Sequence, residues 1–168
     1  MGWHSHGMEP SELACAIAEG RAPAPVSDRA LVAVFATPMA AYLLHFGADL
    51  GFRTVLVDPT GEVPRLDESI VDSSTDVVVT DHDRPELGGM LRDALRLPAR
   101  WIGVMGSPRH PAPHIPALHA LGIDEADIAR VHRPIGLNIG SKTPPEIALA
   151  TLAGLIADRN GRPGGFSH

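Results

Sequence analysis

The sequence predicts a three-layer α/β domain built on a mostly parallel, doubly wound sheet. Three observations carry that prediction. The runs "ALVAVFAT", "RTVLVDP", "DVVVT" and "ARWIGVMGS" lack the in-out alternation of a half-exposed strand and read as strands covered on both faces. Segments with helical spacing lie between them, and strand-helix alternation along one chain is the pattern of parallel βαβ units. With 168 residues and 44% hydrophobic content, the chain suits a single domain that buries a proper core.

Taken in order, Ser11 to Glu19 reads as a short peripheral helix, capped by Ser11 and stopped by Gly20. "RAPAPVSD" follows as an extended linker, because alternating Pro and Ala cannot hold a helix. Residues 1–29 are therefore read as a short helix with a Pro/Ala linker, 30–159 as the domain and 160–168 as a flexible tail. The strand from Ala30 leads to a helix opened by Pro38, which carries Tyr42, Leu43, Phe46 and Leu50 to a cap at Gly51. "RTVLVDP" is a second buried strand, and Thr60 to Asp76 is a loop with at most a brief strand near Ser69 to Val71. "DVVVT" leads through "DHD" into a helix with Leu87, Met90, Leu91, Ala94 and Leu95 on one stripe, for which Asp83 and Glu86 offer a capping box. After the fourth strand come a helix from Pro111 to Leu121 and a short turn capped by Asp124. "HRPIGLNIGSKT" is then a proline-broken connection without a strand pattern. The last helix, Pro144 to Asp158, is apolar nearly all round and is expected to be well buried.

Charge and composition narrow the function classes. Fourteen basic against 20 acidic residues give a net charge of −6, which disfavours nucleic acid and anionic membrane surfaces as partners. No apolar run approaches the roughly 18 residues that cross a bilayer, and "MGWHSHGMEP" lacks the features of a secretory signal. Cys15 stands alone, so there is neither a disulfide framework nor a cysteine zinc signature, and a cytoplasmic location is expected.

Open α/β sheets bind ligands outside the carboxyl ends of their strands, so the residues just after each strand are the candidates. After the first strand, Ala36, Thr37 and Pro38 stand where a dinucleotide fold places Gly-x-Gly, which argues against NAD(P). Asp58, before Pro59, is either a ribose-reading acid or a turn residue. His82, between Asp81 and Asp83, is either a metal or proton-transfer group or part of a polar turn that caps a helix. Gly106 and Ser107, with Arg109 as an anion-binding fork, follow the fourth strand, and a glycine required only by the turn is the alternative. His110 and His114 have an i, i+4 spacing, but Pro111 and Pro113 break the helix that a zinc pair needs, and no metal site is expected.

"GLNIGSKTPPEIA", Gly136 to Ala148, misses the phosphate-loop pattern by one glycine. Thr143 as N-cap, Pro144 and Pro145 behind it, and a Thr-x-x-Glu capping box with Glu146 would remove the free amides that hold phosphate. Gly140, Ser141, Lys142 and Thr143 remain as a loop able to meet an anionic group by side chain and loop amides.

"RWIGVMGSPRH" and "LGIDEADIARVHRPIGLNIGSKTPPEIALATLAGLIADRNG", with "LGFRTVLVDP" and "VVVTDHD", resemble the carboxyl-terminal Rossmann-like domain of the XdhC/CoxI family across Leu31 to Arg159. The resemblance implies an accessory protein, a chaperone-like carrier more than a catalyst, for maturation of xanthine dehydrogenase, carbon monoxide dehydrogenase and related molybdenum hydroxylases. It implies molybdenum cofactor, as molybdopterin or its dinucleotide form, as ligand and a hydroxylase apoenzyme as partner; a homodimer is a separate expectation for the assembly. Carried over, the strand-end loops fall on Ala36 to Met39, Asp58, His82 and Asp83, Gly106 to Arg109, and Gly140 to Thr143. The family often has Gly-Ala-Gly-His where this chain has Ala36-Thr37-Pro38-Met39. Two alternatives stand beside this reading: a nucleotide-dependent oxidoreductase, and a non-catalytic docking module with a decayed ligand site.

Overall fold

In the computed structural model, which describes residues 7–23 and 28–168, five strands form one parallel sheet. They are β1 (Ala30–Val34), β2 (Arg53–Val57), β3 (Thr75–Val79), β4 (Trp101–Val104) and β5 (Val131–His132), in the order β2-β1-β3-β4-β5. The helices are α1 (Pro10–Ala18), α2 (Pro38–Asp49), α3 (Leu87–Arg96), α4 (His114–Ala120), α5 (Glu125–Ile128) and α6 (Pro144–Arg159). This is the Rossmann-like architecture that the apolar runs predict.

The runs are continuous because β1 and β3 sit mid-sheet, where all five residues of each are buried. Successive side chains feed different cores. Val32, Val34, Val77, Val79 and Val104 pack with Leu87 and Leu91 of α3 and Leu118 of α4 on one face. Leu31, Ala33 and Val78 pack with Leu43 of α2 and Leu152 and Leu155 of α6 on the other. After β2 the chain crosses β1 to start β3 on its far side. The connections leaving β1 and β3 therefore diverge to opposite faces and open a crevice between the two carboxyl ends.

Some expectations change. β2 is an edge strand, with Arg53 exposed and Leu56 39% exposed, so its apolar composition reflects one covered flank rather than two. The helix at the start is capped by Glu9, not Ser11: Pro10 takes the first helical position and Glu9 and Glu12 form a capping box. The 60–74 segment contains no strand, because Asp67 and Asp72 hold tight turns through the amides of Ser69 and Ser74 while Leu66 and Val71 anchor it to the core. α3 starts at Leu87 with Glu86 as N-cap and no side-chain cap bond; the amide of Asp83 is taken by Asp81 instead. The "VH" of the supposed strandless connection pairs with Ile102 and Gly103 as β5, followed by a cis Arg133–Pro134 bond. α6 is buried or half-buried over most of its length, as expected, and is exposed only at Glu146, Leu149 and Asp158. Residues 1–6 and 24–27, which include part of the expected linker, lie outside the described residues.

At the amino edge of the sheet, fully buried Asp76 accepts from Arg100 Nε at 2.6 Å and Arg159 Nε at 3.0 Å, tying the end of α6 to β3. Burial pushes this carboxyl above its ordinary pKa, and the two guanidiniums work against that push. With the end of α6 at the amino edge, its start lies at the carboxyl edge, beside the candidate loops. Among the described residues, no helix is long and apolar enough to cross a membrane.

Candidate functional site at the carboxyl edge of the sheet

The crevice floor is built by β1 running out. Phe35 continues the ladder through its amide to Val57 O, then turns with φ 75°, a left-handed conformation that costs a bulky residue about 1–3 kcal/mol. A dinucleotide loop would use glycine there. Two neighbours hold the turn. Thr80, at the end of β3, lies with its hydroxyl 2.9 Å from Val34 O and 3.0 Å from Phe35 O, and it accepts from Thr37 Oγ1 at 2.9 Å. Asp58 Oδ2 accepts from the Ala36 amide at 2.8 Å.

Thr37 is the N-cap of α2 and accepts from the Ala40 amide, so its hydroxyl is occupied on both sides. Pro38 at the first helical position removes a further donor. Asp58 is only 4% exposed, and its second oxygen accepts from both the amide and hydroxyl of Thr60. These bonds, the Ala36 amide first, hold the carboxyl at about 2. Of the two roles open to Asp58, the turn-holding one matches this geometry. The crevice between β1 and β3 thus presents paired hydroxyls and a spent carboxylate where a pyrophosphate needs free amides.

Arg84, absent from the sequence-based candidates, lies over this floor. Its guanidinium is 4.8 Å from the Phe35 ring centroid, with Nη1 3.6 Å from Asp58 Oδ2 and Nε 3.4 Å from Glu86 Oε2. His82 reaches across to β4: Nδ1 is 3.2 Å from Met105 O, which fixes the proton on that nitrogen. That leaves Nε2 toward Asp83, 3.7 Å away.

The loop after β4 is organised by a second residue absent from those candidates. Arg133, just past β5, donates from Nη2 to Ser107 O at 3.0 Å and from Nη1 to His110 O at 3.3 Å. A Cβ on Gly106 would stand 2.6 Å from Arg133 Nε, so this glycine is required by the guanidinium lying against it. Ser107 Oγ accepts from the Arg109 amide, and the exposed Arg109 side chain pairs with nothing among the described residues. His110 is exposed ahead of α4, whereas His114 is 4% exposed inside it, so the two do not form a helical ligand pair. Burial first, then the charge of Arg133, lowers the pKa of His114.

The 133–143 connection returns along α6, with the Leu137 amide bonded to Ala150 O. Gly140 at φ 70° turns it toward the helix start. Thr143 is the N-cap with Pro144 and Pro145 behind it, but the capping box does not form. Its hydroxyl donates to Glu146 Oε2 at 2.9 Å, so the amide donors stay unclaimed by that pair. Ser141 is half-buried; Lys142 is exposed and without a partner among the described residues. Met105 and Ile147 belong to one apolar cluster, which brings the loops of Arg109 and Lys142 to the same stretch of edge. That edge is divided by charge: Asp58, Asp81, Asp83 and Glu86, with Arg84 among them, lie on the β2–β3 side, and Arg109, Arg133 and Lys142, with Glu146 beside them, on the β4–β5 side.

Comparison with known proteins agrees with this architecture. The Bacillus halodurans structure described as a xanthine dehydrogenase superposes with a TM-score of 0.62 at 22% identity, covering 79% of this chain and 45% of that one. Escherichia coli (strain K12) YqeB, described as uncharacterized, is 34% identical over 90 residues, or 54% of this chain and 16% of its own length. The chain thus spans less than half the length of both. Residues 31–155, from β1 through most of α6, match the family described as the XdhC Rossmann domain, and the chain belongs to that family.

Proposed function

We propose that the chain is a cytoplasmic accessory protein for maturation of a molybdenum hydroxylase of the xanthine or carbon monoxide dehydrogenase kind, and that it carries molybdenum cofactor for delivery. Its family membership supports this reading. The observation that carries it is the division of the carboxyl edge. The β1–β3 crevice, where a hydride-transfer cofactor would lay its pyrophosphate, is occupied by the Thr37–Thr80 pair and Asp58, while Arg109 and Lys142 stay exposed next to it. An edge with two exposed cations on separate loops suits a phosphate-bearing ligand that must be released again. Arg109 and Lys142 take the phosphate in this reading, and Gly106, Ser107, Gly140, Ser141 and Thr143 donate hydrogen bonds around it.

The nucleotide-dependent oxidoreductase remains the rival, and titration with NAD(P)H separates the two. Deleting the chain from a host that uses a molybdenum hydroxylase should leave that enzyme's polypeptide present but poorly active. Full hydroxylase activity without the chain would end the proposal.

A further inference from the structure

The two edges of the sheet are finished differently. β5 is two residues long and is soon followed by Pro134, and shortness and proline are devices that keep an edge from pairing with another chain. β2 runs for five residues, "RTVLV", in unbroken register with β1 and with no proline or lysine inside it. Among the described residues only β1 pairs with it. The direction of its backbone groups follows from that pairing. The Arg53 amide donates to Arg29 O and Val57 O accepts from the Phe35 amide, so Arg53, Val55 and Val57 bond inward to β1. Thr54 and Leu56 consequently direct their amides and carbonyls outward, past the edge of the sheet. Their side chains register with Leu31 and Ala33, on the face that α2 covers, where Leu56 is still 39% exposed.

We propose that this edge joins two copies of the chain, by antiparallel pairing of β2 with β2 about a twofold axis at Val55. That register sets Thr54 opposite the second copy's Leu56 and Leu56 opposite its Thr54, so each outward amide of one strand meets an outward carbonyl of the other. The same patch then serves both sides, as a twofold contact requires. Leu56 is covered by a cross-strand pair with Thr54 on the α2 face. Charge agrees with the antiparallel sense. Arg53, whose pair with Asp72 is itself exposed, opens the strand, and exposed Glu62 lies just past the Asp58–Gly61 turn that ends it. Antiparallel pairing brings the start of each strand to the end of the other, and so the basic end of one copy to the acidic end of its mate. The carboxyl ends of the two sheets then point in opposite directions. The crevices lie at opposite ends of the dimer, and the Arg109 and Lys142 loops, on the β4–β5 side, stay clear of the contact. This interface depends on the β2 edge alone and does not rest on the carrier role proposed above.

Sedimentation of the full chain between about 1 and 100 µM should show a monomer–dimer equilibrium. Leu56→Lys sets like charges diagonally across the pairing and should weaken the dimer at least tenfold, while far-UV circular dichroism stays unchanged because that side chain is already exposed. Crosslinking reads the register. At the twofold axis the two Val55 Cα atoms lie about 4.5 Å apart, within disulfide reach, whereas the two Arg53 Cα atoms lie about 13 Å apart along the strands. Cys15 is a free, exposed thiol and is replaced first. In a Cys15→Ser background with a copper–phenanthroline oxidant, Val55→Cys should give a covalent dimer on a non-reducing gel and Arg53→Cys should not. A chain that stays monomeric across the concentration range, a dimer that Leu56→Lys leaves intact, or crosslinking by Val55→Cys no better than by Arg53→Cys would overturn the pairing.

Discussion

Phe35, Thr80 and Asp58 show how single side chains set the chemistry of the crevice. The unfavourable φ of Phe35 is sustained by two partners that also block the place of a pyrophosphate. Thr80→Val keeps the shape and removes the hydroxyl, which should cost about 1–3 kcal/mol in chemical denaturation because Phe35 O loses its share of the one hydroxyl proton and Thr37 loses its acceptor, while the Thr80 amide still serves Val34 O. Asp58 has a lowered folded-state pKa, so its contribution to stability is complete above its ordinary value of 3.8 and is lost as pH falls through about 2. Melting temperature should accordingly fall between about pH 4 and pH 2, and Asp58→Asn should flatten that part of the profile while lowering stability at neutral pH. Unchanged acid sensitivity in Asp58→Asn would place the effect elsewhere, with Asp72, also lowered to about 2, as the first alternative.

Elements pack here through a few close approaches. In β4 the Trp101 indole folds across Gly103, where a Cβ would lie 2.2 Å from the ring, and stacks on His132 of β5 at 4.9 Å and 6°. Gly103→Ala should expel the indole, detach the two-residue β5 and lower the melting temperature, with a changed near-UV signal from the indole. At the amino edge, Asp76→Ala should cost about 3–5 kcal/mol by leaving the guanidiniums of Arg100 and Arg159 without their shared carboxylate. The elements legible in the sequence were those whose own residues repeat a pattern: the buried runs of β1 and β3, and the stripe of α3. β5 was not legible, because two residues before Arg-Pro carry no period and their strand character comes from β4. The caps of α1 and α3 were misplaced for a related reason, since Pro10 and Pro85 shift where each helix begins.

Over the whole molecule, the net charge of −6 conceals a carboxyl edge that is acidic beside β2 and β3 and basic beside β4 and β5. If the exposed Arg109 and Lys142 hold a ligand phosphate, affinity should fall as salt is raised, and Arg109→Ala with Lys142→Ala should remove most of that dependence. Which loops line the edge was legible, because strand ends follow from the fold class. The residues that arrange it were not. Arg84 and Arg133 act on Phe35 and on the Ser107 loop, 49 and 26 positions away in sequence, and no local motif records such meetings. The most direct test of the carrier role is native mass spectrometry of the chain purified from a host that makes molybdenum cofactor. The account predicts a bound species with the mass of the cofactor, lost in the Arg109→Ala, Lys142→Ala double variant. A chain that emerges ligand-free from such a host, or a cofactor retained in full by the double variant, would contradict it.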